Sequence, residues 1–199
     1  MVTPVKIRWI AIVCCCLTVA LAGGCQDRRG DLKKTVNVIS AMATAAAKGD
    51  YVSGIAIGEN YLRENPGDSN VLEQTAVLTL AQAKQDQNNR GPLVVRAVLL
   101  LERSVASSHS PGDSAERFAN RFEAARGFEQ AGDLSSDKCP YYKRALALNS
   151  EAEAVLSVES CKLQDGEAIS TKPLKEQSRR LQSELEKRMS ESRCRSETK

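Results

Sequence analysis

The chain has 199 residues and a formal net charge of +3, and 42% of its residues are hydrophobic while only 4% are aromatic. This length is enough for one domain or for a short array of repeated units. The small net charge gives no electrostatic case for nucleic-acid binding, so we expect no nucleic-acid partner.

Residues 1–24 have the pattern of a secretory signal peptide. Lys6 and Arg8 precede the uncharged stretch WIAIVCCCLTVALA, which is too short for a stable membrane span. The following AGGC (22–25) resembles the lipobox of bacterial lipoproteins, in which the cysteine is lipidated and becomes residue one. This resemblance implies an exported protein anchored by acyl chains on Cys25, palmitate included, to a bacterial membrane, with the outer membrane facing the periplasm as the expected site. An ordinary signal peptide with incidental cysteines is the alternative.

Two stretches in the middle of the chain share one pattern of helix, Gly-Asp turn and helix. They are AKGDYVSGIAIGENYLRENPGD (47–68) and EQAGDLSSDKCPYYKRALALNSE (129–151). The first resembles the tetratricopeptide repeat, because Gly49 and Pro66 keep the family's spacing and Leu62 falls on its usual leucine. The resemblance implies an all-α fold, a right-handed α-solenoid of about three to four antiparallel helix pairs with a C-terminal capping helix.

Turn signals and apolar periodicity divide the rest of the chain. We predict a tether at 25–34, a tetratricopeptide-like helical domain at 35–192 and a frayed polar tail at 193–199. The apolar LVVRAVLLLERSV is predicted as the most buried helix, and the KPLKEQSRRLQSELEKRM helix as the cap. The predicted helices are Thr35–Lys48, Tyr51–Asn65, Ser69–Lys84, Leu93–Ser107, Ser114–Gln130, Lys138–Leu148, Glu151–Leu163 and Pro173–Ser190.

The cysteines after Cys25 raise the question of pairing, because an exported protein meets an oxidising environment. Cys139 and Cys161 lie equally far from a turn predicted at Asn149 and Ser150, so in an antiparallel helix pair they would face each other. We therefore predict a Cys139–Cys161 disulfide. The alternatives are two free buried thiols or a bond to Cys194. If Cys139 and Cys161 are paired, Cys194 is left as a free thiol or forms an intermolecular disulfide.

The sequence has no signature of catalysis, cofactor binding or metal binding. There is no Cys-x-x-Cys pair or phosphate-binding glycine motif, and the one histidine, His109, lies in a serine-rich stretch. We therefore predict a non-enzymatic protein without cofactor or metal.

The family resemblance implies a concave face that binds an extended peptide or an envelope protein, as in an adaptor for a cell-envelope, pilus or secretion assembly. An exported all-helical enzyme, a small-ligand-binding protein and a structural lipoprotein without a dedicated partner remain alternatives. The candidate groove residues, each of which could equally be simply solvated, are Asn37, Met42, Gln74, Thr75, Arg121 and Glu123.

Overall fold

The computed structural model describes residues 26–108, 114–158 and 170–194. These residues form seven α-helices and no strand, which confirms the all-α prediction for the part of the chain described. The helices are α1 (Gln26–Ala47), α2 (Tyr51–Glu64), α3 (Ser69–Gln85), α4 (Arg90–Ser107), α5 (Ser114–Leu134), α6 (Cys139–Val158) and α7 (Lys172–Glu191).

The turns between the first three helices are built by the residues that marked them in the sequence. Gly49 adopts a positive φ of 78°, which lets the N–H of Asp50 bond back to the carbonyl of Ala45 and close α1. The Asp50 carboxylate then accepts a hydrogen bond from the Ser53 N–H at 3.0 Å and caps α2. Asp68 caps α3 in the same way, through the Val71 N–H at 3.1 Å.

Asp68 also connects the first three helices. Its Oδ2 accepts hydrogen bonds from Thr35 Oγ1 on α1 at 2.7 Å and from the Tyr61 hydroxyl on α2 at 3.1 Å. The side chain that caps α3 therefore also fixes where α1 and α2 lie against it.

α1 begins earlier than predicted. The segment predicted as a tether is helical from Gln26 onward, so α1 extends to within one residue of Cys25. Its composition explains this, because arginine, lysine, leucine and glutamine are good helix formers and only Gly30 opposes them. Residues 1–25, which include the predicted signal peptide and Cys25, lie outside the described residues, as does the end of the tail from 195 to 199.

The largest error in the predicted helix boundaries concerns α6. It continues without a break through Asn149 and Ser150, where a turn was expected. Ser150 Oγ bonds the Leu146 carbonyl one turn back, and the buried Asn149 is satisfied by Ser178 on α7, so neither residue needs a turn. The two helices predicted on either side of Asn149 are one helix.

The helices contact one another in a regular order. Each helix packs against the next one along the chain, and each odd-numbered helix also contacts the next odd-numbered helix: α1 with α3, α3 with α5, and α5 with α7. The core runs along these contacts as one cluster. α4, predicted to be the most buried helix, buries only one face, since Val95 and Leu99 remain 53% and 60% exposed.

Gly58 shows how two helices approach closely in this core. A methyl group placed on Gly58 would lie 2.8 Å from Cε of Met42 and would also meet Thr75. Met42 from α1 and Thr75 from α3 fill the volume beside Gly58.

Candidate functional site

α5 lies at the centre of the molecule, since it contacts α3, α4, α6 and α7. About half of its described residues are buried. Its remaining partly exposed residues include four at helical spacing, which places them on one face. They are Ala119, Glu123, Arg126 and Gln130.

α3 presents a matching stripe. It packs against α1, α2, α4 and α5, and it leaves a line of residues at helical spacing only partly buried or exposed. They are Asn70, Glu73, Val77 and Ala81. This stripe has one carboxylate, one amide and small apolar residues, whereas the buried residues of the same helix include no charged side chain.

The two stripes lie side by side. Asn120 Nδ2 on α5 donates to Ser69 Oγ on α3 at 3.4 Å, which fixes the register of the two helices. About one turn further along, the Glu73 and Glu123 side chains are close enough for the negative charge of Glu123 to disfavour ionisation of Glu73. We call the surface formed by Glu73, Val77, Glu123, Arg126 and Gln130 the α3–α5 seam.

The carboxylates of the seam have unusual proton affinities. Burial, followed by repulsion from Glu123, raises the pKa of Glu73 to about 8. Burial also raises the pKa of Glu123, although the nearby Arg126 guanidinium partly opposes that change. Below pH 8 the Glu73 carboxyl group therefore stays protonated. A positive group placed between Glu73 and Glu123 would favour the ionised form of Glu73 and so displace its proton.

The predicted groove residues divide between this surface and the interior. Glu123 belongs to the seam, Gln74 is partly buried next to Glu73, and Asn37 is exposed on α1. Met42 and Thr75 were expected in the groove but are 1% and 0% exposed.

The burial of Met42 and Thr75 has a packing cause. Met42 fills the space beside Gly58, and the Thr75 hydroxyl donates to the Val71 carbonyl at 2.7 Å. Neither side chain reaches the surface in this structure.

Arg121 has a different role from the one predicted. It turns toward α6, where its Nε lies 3.6 Å from Oε2 of Glu151, and its Nη1 donates to the carbonyl of Arg117. It therefore helps to join α5 to α6.

Four residues of the seam were not among the predicted groove residues: Glu73, Val77, Arg126 and Gln130. Glu73 directly precedes Gln74, and successive residues of an α-helix are rotated by about 100°, so the predicted face of α3 differed from the observed one by about that angle. The useful signal was the spacing of Glu123, Arg126 and Gln130 on α5, which places three polar residues on one face.

A second charged cluster joins α5, α6 and α7, and we call it the clasp. Arg188 on α7 binds Asp133 through Nη1 at 2.5 Å, Glu184 through Nη2 at 2.8 Å and Glu129 through Nε at 3.0 Å. The Tyr142 hydroxyl also donates to Asp133, at 2.7 Å. The clasp thus consists of Glu129, Asp133, Tyr142, Glu184 and Arg188.

The clasp perturbs its members in ways that fit a structural role. Burial, reinforced by the hydrogen bond to Asp133, raises the pKa of Tyr142 to about 12. Burial works against the charge of Arg188, but its carboxylate partners outweigh that effect and raise its pKa. Burial and the neighbouring Glu184 raise the pKa of Glu129 despite Arg188. Tyr142 therefore stays neutral and Arg188 stays charged near neutral pH.

The disulfide differs from the predicted one. Cys139 is bonded to Cys194, with their Cα atoms 5.4 Å apart, which is the alternative that the sequence left open. The Cys139–Cys161 prediction relied on a turn at Asn149, and α6 is instead a continuous helix of 20 residues, about 30 Å long. A sulfur forms one disulfide, so Cys139 is not available to Cys161, which lies outside the described residues together with His109.

The part of the chain that the structure describes contains neither a candidate membrane-spanning helix nor a candidate metal site. None of the seven helices is long and apolar enough to cross a bilayer. In residues 26–108, 114–158 and 170–194, no group of three or more His, Cys, Asp or Glu side chains is arranged to hold a metal ion.

Comparison of the chain with known protein families, curated proteins and solved structures gives no match.

Proposed function

We propose that this protein is a non-enzymatic adaptor that binds another envelope protein along the row formed by its odd-numbered helices. The helices group as three consecutive pairs, α1 with α2, α3 with α4 and α5 with α6, followed by α7 as a cap. A tetratricopeptide-like solenoid is the arrangement that best accounts for the contacts of α1 with α3, α3 with α5 and α5 with α7. In such a stack the first helices of the pairs line the concave face.

The observation that carries this proposal is the α3–α5 seam. Glu73 and Glu123 are partly buried carboxylates on neighbouring first helices, beside the apolar Val77. A pair of partly desolvated carboxyl groups next to apolar surface is suited to an extended peptide or a partner helix that carries a lysine or arginine, because that cation would stabilise the ionised form of Glu73. We therefore propose a partner with a basic residue flanked by apolar ones.

The anchoring part of the proposal comes from the sequence. Lipidation of Cys25 after cleavage of residues 1–24 would hold the protein at a bacterial membrane, with the repeats in the periplasm and the outer membrane as the expected location. Because α1 starts at Gln26, the anchor would be joined directly to the first helix and not through a flexible tether. The helical stack would then stay close to the membrane surface.

A photo-crosslinking amino acid placed at two positions tests the adaptor proposal in intact cells. The test position is Gln130, partly exposed in the seam, and the control is Val95, 53% exposed on the opposite face of the pair α3 and α4. We expect one reproducible protein adduct from Gln130 and none of the same mass from Val95. Equal adducts from both positions, or no protein adduct from Gln130, would contradict the adaptor.

The anchor is tested separately by metabolic labelling with a fatty-acid analogue. We expect the wild-type protein to be labelled and membrane-bound, and Cys25→Ala to be unlabelled. A Cys25→Ala variant that remains membrane-bound and unlabelled would show that lipid does not hold the protein.

A further inference from the structure

The Cys139–Cys194 disulfide joins the N-terminal end of α6 to the C-terminal end of α7. Cys139 is the first residue of α6, and the preceding Lys138 carbonyl accepts the N–H of Tyr142 at 3.1 Å, as at a helix N-terminus. Cys194 lies just after the C-terminal end of α7, where its N–H donates to the Met189 carbonyl at 2.9 Å. Neither cysteine is fully buried.

The disulfide lies at an open cleft. The cleft has a volume of about 380 Å³ and gives solvent access to the start of α6 and the end of α7. Its wall is formed by Ser136, Asp137, Lys138, Cys139, Glu191 and Ser192. Cys139 lines this cleft, and Cys194, outside its wall, is itself partly exposed at the end of α7. The disulfide therefore lies at the surface of the protein and not inside the apolar core.

The two sulfur atoms differ in their capacity to leave as a thiolate. The N-terminal end of α6 carries a partial positive charge, which stabilises negative charge on Cys139; the neighbouring Lys138 and Asp137 carry opposite full charges. The C-terminal end of α7 carries a partial negative charge, which disfavours negative charge on Cys194; the neighbouring Glu191 and Arg193 again carry opposite charges. Exchange should then break the bond with its electron pair going to Cys139.

We infer that Cys139–Cys194 is a site of thiol–disulfide exchange with a dithiol reductant and that its reduction frees the C-terminal helix α7. A thiolate of the reductant attacks Sγ of Cys194, forms a mixed disulfide there and releases Cys139 as a thiolate. The second thiol of the reductant then attacks its own sulfur in the mixed disulfide and releases Cys194. The protein gains two electrons and two protons, and the reductant becomes a disulfide.

The consequence is local because α7 is the last described helix and contacts only α5 and α6. Its buried residues are Ser178, Leu181 and Leu185, and the partly buried Leu174 and Met189 also pack against the core. Arg188 of the clasp and the paired hydrogen bonds between Asn149 and Ser178, at 3.0 Å each, add polar contacts to the same two helices. Loss of the disulfide should therefore loosen α7 while the contacts among α1 to α4 persist.

The direction of exchange is tested on the wild-type protein with 2-mercaptoethanol, a neutral thiol, followed by an acid quench and peptide mapping of the mixed disulfide. We expect the adduct on Cys194 to exceed that on Cys139 at least about tenfold. Lys138→Gln should slow the reaction about twofold to fivefold, and the matched Lys175→Gln, remote from the cleft, should leave it unchanged. Equal adducts, or a preference for Cys139, would overturn the inference.

The release of α7 is tested by hydrogen exchange before and after reduction with dithiothreitol, and in the Cys139→Ser/Cys194→Ser variant. We expect the amides of residues 172–191 to exchange at least about tenfold faster and those of residues 69–85 to be unchanged. Unchanged exchange in α7 would show that the disulfide is not what holds it. Faster exchange throughout the protein would show that the disulfide stabilises the whole fold and not α7 alone, which also contradicts the inference. Neither result bears on the proposed partner surface, because the seam lies between α3 and α5.

Discussion

The clasp and the α3–α5 seam are both charged clusters beside α5, but they are organised differently. In the clasp, one arginine on α7 binds carboxylates on α5 and on its own helix at 2.5 to 3.0 Å. In the seam, two carboxylates lie next to each other, and among the described residues no side chain is bonded to either in that way. Direct pairing fixes one helix to another, whereas repulsion between like charges leaves a surface with a capacity to bind a cation.

The largest expected effect concerns the packing beneath the clasp. Leu185 on α7 is 0% exposed, so Leu185→Ala should lower the free energy of unfolding by about 3 kcal/mol. Leu99→Ala is the matched control, because that leucine is 60% exposed and its truncation should change stability by less than about 0.5 kcal/mol. Urea unfolding followed by circular dichroism measures both. Equal effects would mean that α7 is not part of the core.

The next effect concerns the charge in the clasp. Arg188→Met keeps the apolar stem but leaves Glu129 and Asp133 without their cation, so stability should fall by roughly 2 kcal/mol at pH 7. Arg180→Met, which removes an ion pair with Glu176 that is 78% and 55% exposed, should cost at most about 0.5 kcal/mol. A loss that is the same for the two variants would remove the distinction between the clasp and an ordinary surface pair.

The seam should make the stability of the protein depend on pH. The pKa of Glu73 is raised from its ordinary value of 4.5 to about 8. Between pH 4.5 and pH 8, therefore, Glu73 is protonated in the folded protein and ionised in the unfolded protein. Stability from this group is therefore complete below pH 4.5 and falls as the pH rises toward 8. Glu73→Gln should remove that fall and raise stability at pH 8.5 by about 1 kcal/mol, a value reduced for solvent screening of a partly exposed group.

A matched variant separates the causes of that pH dependence. Glu123→Gln removes the like charge but not the burial of Glu73, so it should lower the pKa of Glu73 only part of the way toward 4.5. The fall in stability should then end at a lower pH and become smaller, but it should not disappear as it does in Glu73→Gln. Urea midpoints at pH 5, 7 and 8.5 supply the comparison. If neither variant changed the pH profile, the two carboxylates would not be coupled.

The sequence was most informative where local chemistry decides structure. The Gly49-Asp50 turn, the Asp68 cap and the helices that they separate were all predictable, because each depends on a few adjacent residues. Asn149 and Ser150 misled the analysis for the opposite reason. Asparagine and serine favour turns when solvated, but Asn149 is buried against Ser178, 29 residues away, and that contact is invisible in local sequence.

The candidate site was only partly predictable for a related reason. Glu123 was identified, but Met42 and Thr75 were placed on the surface because their burial depends on the missing side chain of Gly58 on a neighbouring helix. The cysteine pairing failed through the same dependence on long-range structure, since Cys139 meets Cys194 only once α7 has docked. Helix patterns give the elements, but the rotation of each helix about its axis comes from its neighbours.

The most direct test of the account measures how the seam carboxylates control contact with a partner. The yield of the Gln130 photo-crosslink is compared between the wild-type protein and the Glu73→Gln/Glu123→Gln variant, with Arg180→Met as a control outside the seam. The account predicts a fall of at least about tenfold in the double variant, because a basic partner residue loses its counter-charges, and no change in the control. An unchanged yield in the double variant, at equal expression and stability, would contradict the assignment of the α3–α5 seam as the binding surface.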